Sequence, residues 1–112
     1  MTDDRRRELD KQLEENEEEQ REIHKILDEL EEQECVIGRE TGKYLRLMDE
    51  SRGWRGEQAD AFRRQMEAEL MDIEDKAKRD IRQSRDRLKD REDWLKHERE
   101  MLWKEKQEAE EG

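Results

Sequence analysis

"LDKQLEENEEEQREIHKILDEL", residues 9–30, decides the fold. From Leu9 a spacing of four then three passes through Leu13, Asn16, Gln20, Ile23, Leu27 and Leu30, and in the same register reaches Glu34, Ile37, Thr41, Tyr44 and Met48. Apolar residues returning every 3.5 positions mark the buried stripe of a long helix that packs against another helix. Four of these positions, Asn16, Gln20, Glu34 and Thr41, are polar, so the stripe is weak at its start and interrupted in its middle. At Asn16 and Gln20 two readings stand: the first turns are solvated, or the polar pair sets the register of the packing.

The composition around this stretch leaves room for little else. Charged residues make up 54% of the 112 residues and apolar ones 29%, which denies the chain an ordinary globular core. Low hydrophobicity with a net charge of −11 favours disorder, but the absence of proline and the strong periodicity favour narrow helices. A single cysteine, Cys35, rules out a disulfide framework; beside Val36 and Ile37 it reads as a small buried hydrophobe rather than a nucleophile. The charged start and the lack of a long apolar run predict neither a signal peptide nor membrane insertion, hence synthesis in the cytoplasm. The acidic balance argues against nucleic acid, because phosphate binding needs a basic face.

Beyond the middle of the chain the rhythm changes. Ala59, Phe62, Met66, Leu70, Ile73, Ala77, Ile81, Ser84 and Leu88 follow an eleven-residue repeat, which keeps a stripe nearly straight along a helix. Past Leu88 the stripe continues less cleanly through Leu95 and Leu102. Acid-before-base pairs four apart, such as Asp72 with Lys76, Glu74 with Lys78 and Glu92 with Lys96, support this second helix by a few tenths of a kcal/mol each. In the first helix Glu14, Glu15 and Glu17 to Glu19 crowd like charges, and both chain ends are expected to fray.

The expected fold is therefore all-α: an antiparallel two-helix hairpin forming a single domain over 1–112, with helices at about 4–50 and 57–109 joined by a turn at 51–56. At 1.5 Å per residue each helix would be roughly 70 to 80 Å long. In the turn Gly53 can end the first helix in a left-handed conformation and Gly56 can start the second, with Glu57 and Asp60 placing negative charge at its positive dipole end. Trp54 either folds back onto the helix ends or docks on a partner, since a wet tryptophan leaves a large apolar surface exposed.

Chemistry finds no foothold in this pattern. "GRETGKY", residues 38–44, has three residues between its glycines and a tyrosine after its lysine, so it lacks the spacing of a phosphate-binding loop. Gly38 and Gly42 instead sit one helical turn apart, which permits close helix approach or a bend. His24 and His97 have no cysteine or second histidine at ligand spacing, so neither a metal nor another cofactor is expected, and no enzyme.

Trp54, Arg55 and Gly56, a Trp-any-Gly motif in the turn of a helical hairpin of about one hundred residues, resemble the signature of the WXG (ESAT-like) superfamily of type VII secretion. Ala59 and Phe62 extend the likeness into the second helix. The helices here are more charged than those of the small secreted members, and in this the chain looks more like the small helical partners of LXG-type toxins in Gram-positive bacteria. The resemblance implies a non-enzymatic adaptor that binds the toxin's N-terminal helical domain, alone or with a second small helical partner, and promotes its export without a signal peptide. Trp94 and Glu98, an aromatic followed four positions later by an acid, fit the family's export element.

Two alternatives stand beside this: a secreted WXG-type homodimer, or an unrelated cytosolic coiled-coil scaffold. All three need a partner surface, because a two-helix core of this size supplies only about 3–5 kcal/mol. The residues expected to provide it are Ile23, Leu27, Leu30 and Ile37 on the first helix, with Phe62, Met66, Leu70 and Ile73 on the second, completing a helical bundle.

Overall fold

The computed structural model describes residues 2–50 and 56–111. Two long helices account for nearly all of them: α1, Asp3–Glu50, and α2, Glu57–Glu111. They pack antiparallel as an all-α helical hairpin. The expected joint at Gly53 and Trp54 lies outside the described residues.

Both helix starts follow from local chemistry. Thr2 caps α1: its carbonyl accepts the amides of Arg5 at 3.1 Å and Arg6 at 3.2 Å, and its hydroxyl the amide of Arg5 at 3.3 Å. Asp3 and Asp4 then face the positive end of the helix dipole. At α2 the carbonyl of Gly56 accepts the Asp60 amide at 3.0 Å, and Gly56 has φ +117°, a region that L side chains rarely enter. A Cβ there would meet nothing within 4 Å, so the restriction is purely one of backbone. Gly56→Ala is expected to destabilise the fold by about 1–2 kcal/mol, checked by urea titration.

Contacts divide the chain into two units, 1–28 with 85–112, and 29–84. In the first, both helices run on heptads. Leu9 and Leu13 of α1 form one apolar cluster with Leu102 of α2, and Ile23 and Leu95 are buried as well. Leu88, Leu95, Leu102 and Ala109, seven apart, all turn inward, so the stripe that looked ragged past Leu88 in fact holds the better core.

The polar residues in this unit's seam are paired. Asn16, buried, donates through Nδ2 to the Leu95 carbonyl at 2.8 Å and to Glu98 Oε1 at 3.1 Å, while its Oδ1 accepts from Gln20 Nε2 at 2.6 Å. Of the two readings of Asn16, the register role is the one its bonds support, since both amide hydrogens are used across the seam. Asn16→Ala is expected to cost about 1–2 kcal/mol by chemical denaturation, whereas Asn16→Leu should leave stability equal or higher with looser pairing.

Charge pairs link the same two segments. Arg5 bonds Glu105, Lys106 reaches Asp10 at 2.6 Å, Arg99 meets Glu17 at 3.2 Å and Arg91 meets Glu19 at 3.1 Å. The glutamate run of α1 thus finds bases on α2, and the ends that like charge was expected to fray are helical from Asp3 and through Glu111. Such exposed pairs contribute about 0–1 kcal/mol each, so the apolar cluster remains the main source of stability.

In the unit 29–84 both helices follow the eleven-residue repeat. Leu30 and Thr41, Glu34 and Leu45, and Ile37 and Met48 turn inward on α1; Ala59, Leu70 and Ile81, with Arg63 and Glu74, and Met66 and Ala77, do so on α2. On α2 the expected period is right and its phase is wrong at one position in each repeat; on α1 the heptad expected to run through Met48 gives way to the eleven-residue repeat in this unit. Phe62, Ile73 and Ser84 are exposed, and Arg63 and Glu74 take the inward places; Tyr44 is exposed and Leu45 replaces it. Long charged side chains can lie along a seam on their aliphatic stems, which a choice by hydrophobicity alone overlooks.

Cys35 is exposed too, one position off the inward Glu34, which overturns its expected burial. The Thr41 hydroxyl donates to the Ile37 carbonyl at 2.9 Å and so enters the seam with a partner. Lys78 bridges to Glu74 at 2.8 Å, and that hydrogen bond holds its pKa above the ordinary lysine value of 10.5. A raised lysine pKa stabilises the fold below its unfolded value and loses that effect only as pH climbs through the folded one, so this pair gives no pH dependence near neutrality.

Neither helical glycine is required by close packing. A Cβ on Gly38 would sit 3.9 Å from Glu74 Oε1 and Lys78 Nζ, an ordinary contact, and one on Gly42 would meet nothing within 4 Å. Gly42→Ala is expected to stabilise the protein by about 0.5–1 kcal/mol in thermal melts.

Candidate functional site

An open apolar groove of about 460 Å³ lies in the unit 29–84. Tyr44, Leu47 and Met48 of α1 form one wall, and Phe62, Arg63, Met66 and Leu70 of α2 form the other. Helical spacing explains the lining: Phe62, Met66 and Leu70 stand four apart on one face of α2, and Tyr44, Leu47 and Met48 share a turn of α1. Met48, Met66 and Leu70 are half-buried and make the floor, while Leu47, Tyr44 and Phe62 are 61%, 55% and 48% exposed at the rim. Two methionines in the floor make it deformable, a property suited to receiving a side chain of uncertain shape. Arg63 pairs with Asp60 at 3.5 Å, which places charge at the edge of the groove.

Three residues expected to bind a partner, Phe62, Met66 and Leu70, are brought together here. The others are placed differently. Ile23 is buried inside the unit 1–28 with 85–112, Leu27 is half-buried there, and Leu30 and Ile37 are half-buried in the unit 29–84. Ile73 is 63% exposed and outside the groove lining. The heptad register does not place Tyr44 and Leu47 at this groove, since it assigns Tyr44 to the internal seam and gives Leu47 no role. The signal the sequence holds is the eleven-residue spacing of Val36 and Leu47, the same rhythm as the second helix.

The expected export element is held in two different settings. Trp94 is exposed, with the Arg91 guanidinium 4.4 Å from its ring centroid. Glu98 is half-buried and accepts the Asn16 bond, so its carboxylate already has a structural partner. Trp103 carries Lys106 5.1 Å over its ring. Gly56 directly precedes α2 with open space where a Cβ would stand, and the remaining turn residues lie outside the described ones.

A second cleft, of about 660 Å³, lies in the unit 1–28 with 85–112 and has the opposite character. Glu15, Glu18, Glu19, Glu22 and Glu98 surround Asn16 and Leu95 there, with Arg91 the one base among its lining residues. Near it Glu92, 9% exposed in a seam position, accepts Lys96 at 3.2 Å and brings its second oxygen to 2.9 Å from His24 Nε2. Among the described residues no group of histidine, cysteine and carboxylate side chains has the arrangement of a metal site, and no helix is long and apolar enough to cross a membrane. The chemistry available to the apolar groove is burial of another side chain or helix. The chain matches no family model, no curated protein and no solved structure.

Proposed function

We propose that this chain is a non-catalytic adaptor that binds the N-terminal helical domain of an LXG-type toxin and accompanies it into type VII secretion. The observation that carries the reading is the groove at Tyr44, Leu47, Phe62, Met66 and Leu70, an open apolar cleft in a chain of which 54% is charged. Solvent-facing aromatic and aliphatic rims over a methionine floor are the chemistry of a helix-binding surface. The Trp54-Arg55-Gly56 resemblance supplies the secretion context, and a chain made in the cytoplasm and exported with its partner follows from it.

Co-expression with the N-terminal helical domain of an LXG-type toxin is the test. The adaptor reading expects a stoichiometric complex that survives gel filtration and melts above either component. A free chain that ignores such domains sinks it. Sedimentation of the pure protein tests the secreted-homodimer alternative: a tight dimer at micromolar concentration selects that reading instead.

A further inference from the structure

The unit 29–84 exposes more apolar surface than its groove contains, and apart from Met71, 56% exposed, the excess continues at eleven-residue spacing from the groove rim. Val36 and Leu47 on α1 are 37% and 61% exposed, Phe62 and Ile73 on α2 are 48% and 63% exposed, and each pair is eleven residues apart. Eleven residues are close to three full turns, so each pair lies on one face of its helix, about 16 Å apart. Leu47 and Phe62 line one groove, and because the helices are antiparallel, the step from Leu47 to Val36 runs the same way as the step from Phe62 to Ile73.

Acids are interleaved at matching places. Glu29, Val36, Glu40 and Leu47 follow one another at seven, four and seven, and so do Phe62, Glu69, Ile73 and Asp80. The four acids are exposed. Glu40 touches Lys43 at 3.1 Å and Glu69 accepts from Gln65 at 3.3 Å, both on their own helices.

We infer that this double row, Val36 and Leu47 with Phe62 and Ile73, is the seat of a single amphipathic helix from another protein, whose apolar residues recur every eleven positions and are flanked by lysine or arginine. The inference rests on the adaptor reading for its setting and names the partner chemistry of that groove. Two parallel rows, one on each helix, that start together at the groove with Leu47 and Phe62 and run on beyond it to Val36 and Ile73 suit one helix, which packs about 8–10 Å from each neighbour. The acids at Glu40 and Glu69 call for basic residues between the occupant's apolar ones, and the net charge of −11 draws a basic segment in. A second copy of this chain is the wrong occupant, because it would set the same glutamates against like charge. A heptad-patterned helix is also wrong, since its stripe drifts away from rows that repeat at eleven.

The probe is a synthetic helical peptide of about 22 residues with leucine at eleven-residue spacing and interleaved lysines, titrated against the full chain by fluorescence anisotropy. Two controls keep its composition in a heptad order or replace its lysines by glutamates. The first peptide is expected to bind roughly tenfold more tightly than either control, and Val36→Asp or Ile73→Asp to weaken it by about the same factor with unchanged melting. Glu40→Lys with Glu69→Lys should reverse the preference toward the glutamate control.

Absence of binding by the lysine peptide, equal binding of the heptad control, or indifference to Val36→Asp and Ile73→Asp would each overturn the inference. So would a tight homodimer that Ile73→Asp dissociates. The adaptor reading fails separately: it falls if the toxin domain does not co-purify while the lysine peptide still binds, and it survives if the domain co-purifies with Val36→Asp and Ile73→Asp undiminished.

Discussion

Leu95→Ala should lower stability by about 2–4 kcal/mol, with a fall in thermal midpoint of roughly 10–25 °C by circular dichroism. Leu95 is 1% exposed in the unit 1–28 with 85–112, where the apolar core is thin: Leu9, Leu13 and Leu102 make its cluster, with Ile23 and Leu95 beside them. In a thick core neighbours collapse into a cavity and recover part of the loss. A two-helix seam offers few neighbours to do so, and Leu95 also holds the carbonyl that Asn16 bonds at 2.8 Å. Set against about 3–5 kcal/mol for a small scaffold, the change would leave a substantial unfolded population at 37 °C. Leu47→Ala is the control: at 61% exposure it should stay within about 0.5 kcal/mol of the parent. Equal stability of the Leu95→Ala and Leu47→Ala variants would mean that the heptad seam is not what holds this unit.

Phe62→Glu has the opposite signature, with little effect on folding and a large one on association. Its ring is 48% exposed at the rim of the groove while Met66 and Leu70 form the floor, so a charge at this place stays solvated in the free protein. In a complex with a toxin helical domain that carboxylate would be buried without a partner, and binding should weaken by about 2–4 kcal/mol, or roughly 30- to 1,000-fold. Isothermal titration with the toxin domain measures it, and a melting curve on the free variant separates the two effects. Unchanged affinity would remove the groove from the interface.

The fold was legible because it rests on period, and period survives a highly charged composition. Leu9, Leu13 and Ile23 stand in the heptad places and are buried there. Phase was harder to read. At 62 or 63, and again at 73 or 74, the sequence offers an apolar residue beside a charged one, and the charged one turns inward. Phe62 and Ile73 are exposed while Arg63 and Glu74 lie inward, so a choice by hydrophobicity alone misassigns those positions. The same reasoning misplaced Cys35, whose neighbours Val36 and Ile37 split between outside and inside. Half of the groove, Phe62, Met66 and Leu70, could be read from α2; Tyr44 and Leu47 could not, because the seven-residue count from Leu9 runs past the point at which α1 changes rhythm.

The eleven-residue repeat shared by α1 and α2 within 29–84 sets a unit of length for this protein. An insertion of eleven residues in one helix alone would rotate little but would slide every later contact past its partner. Matched insertions, one in each helix, would restore every inward position and add one more acid and one more exposed apolar residue to each outer row. Lengthening by gene duplication in this segment is therefore quantised and must be paired, and homologues of different size should differ here by equal multiples of eleven on both sides of the turn.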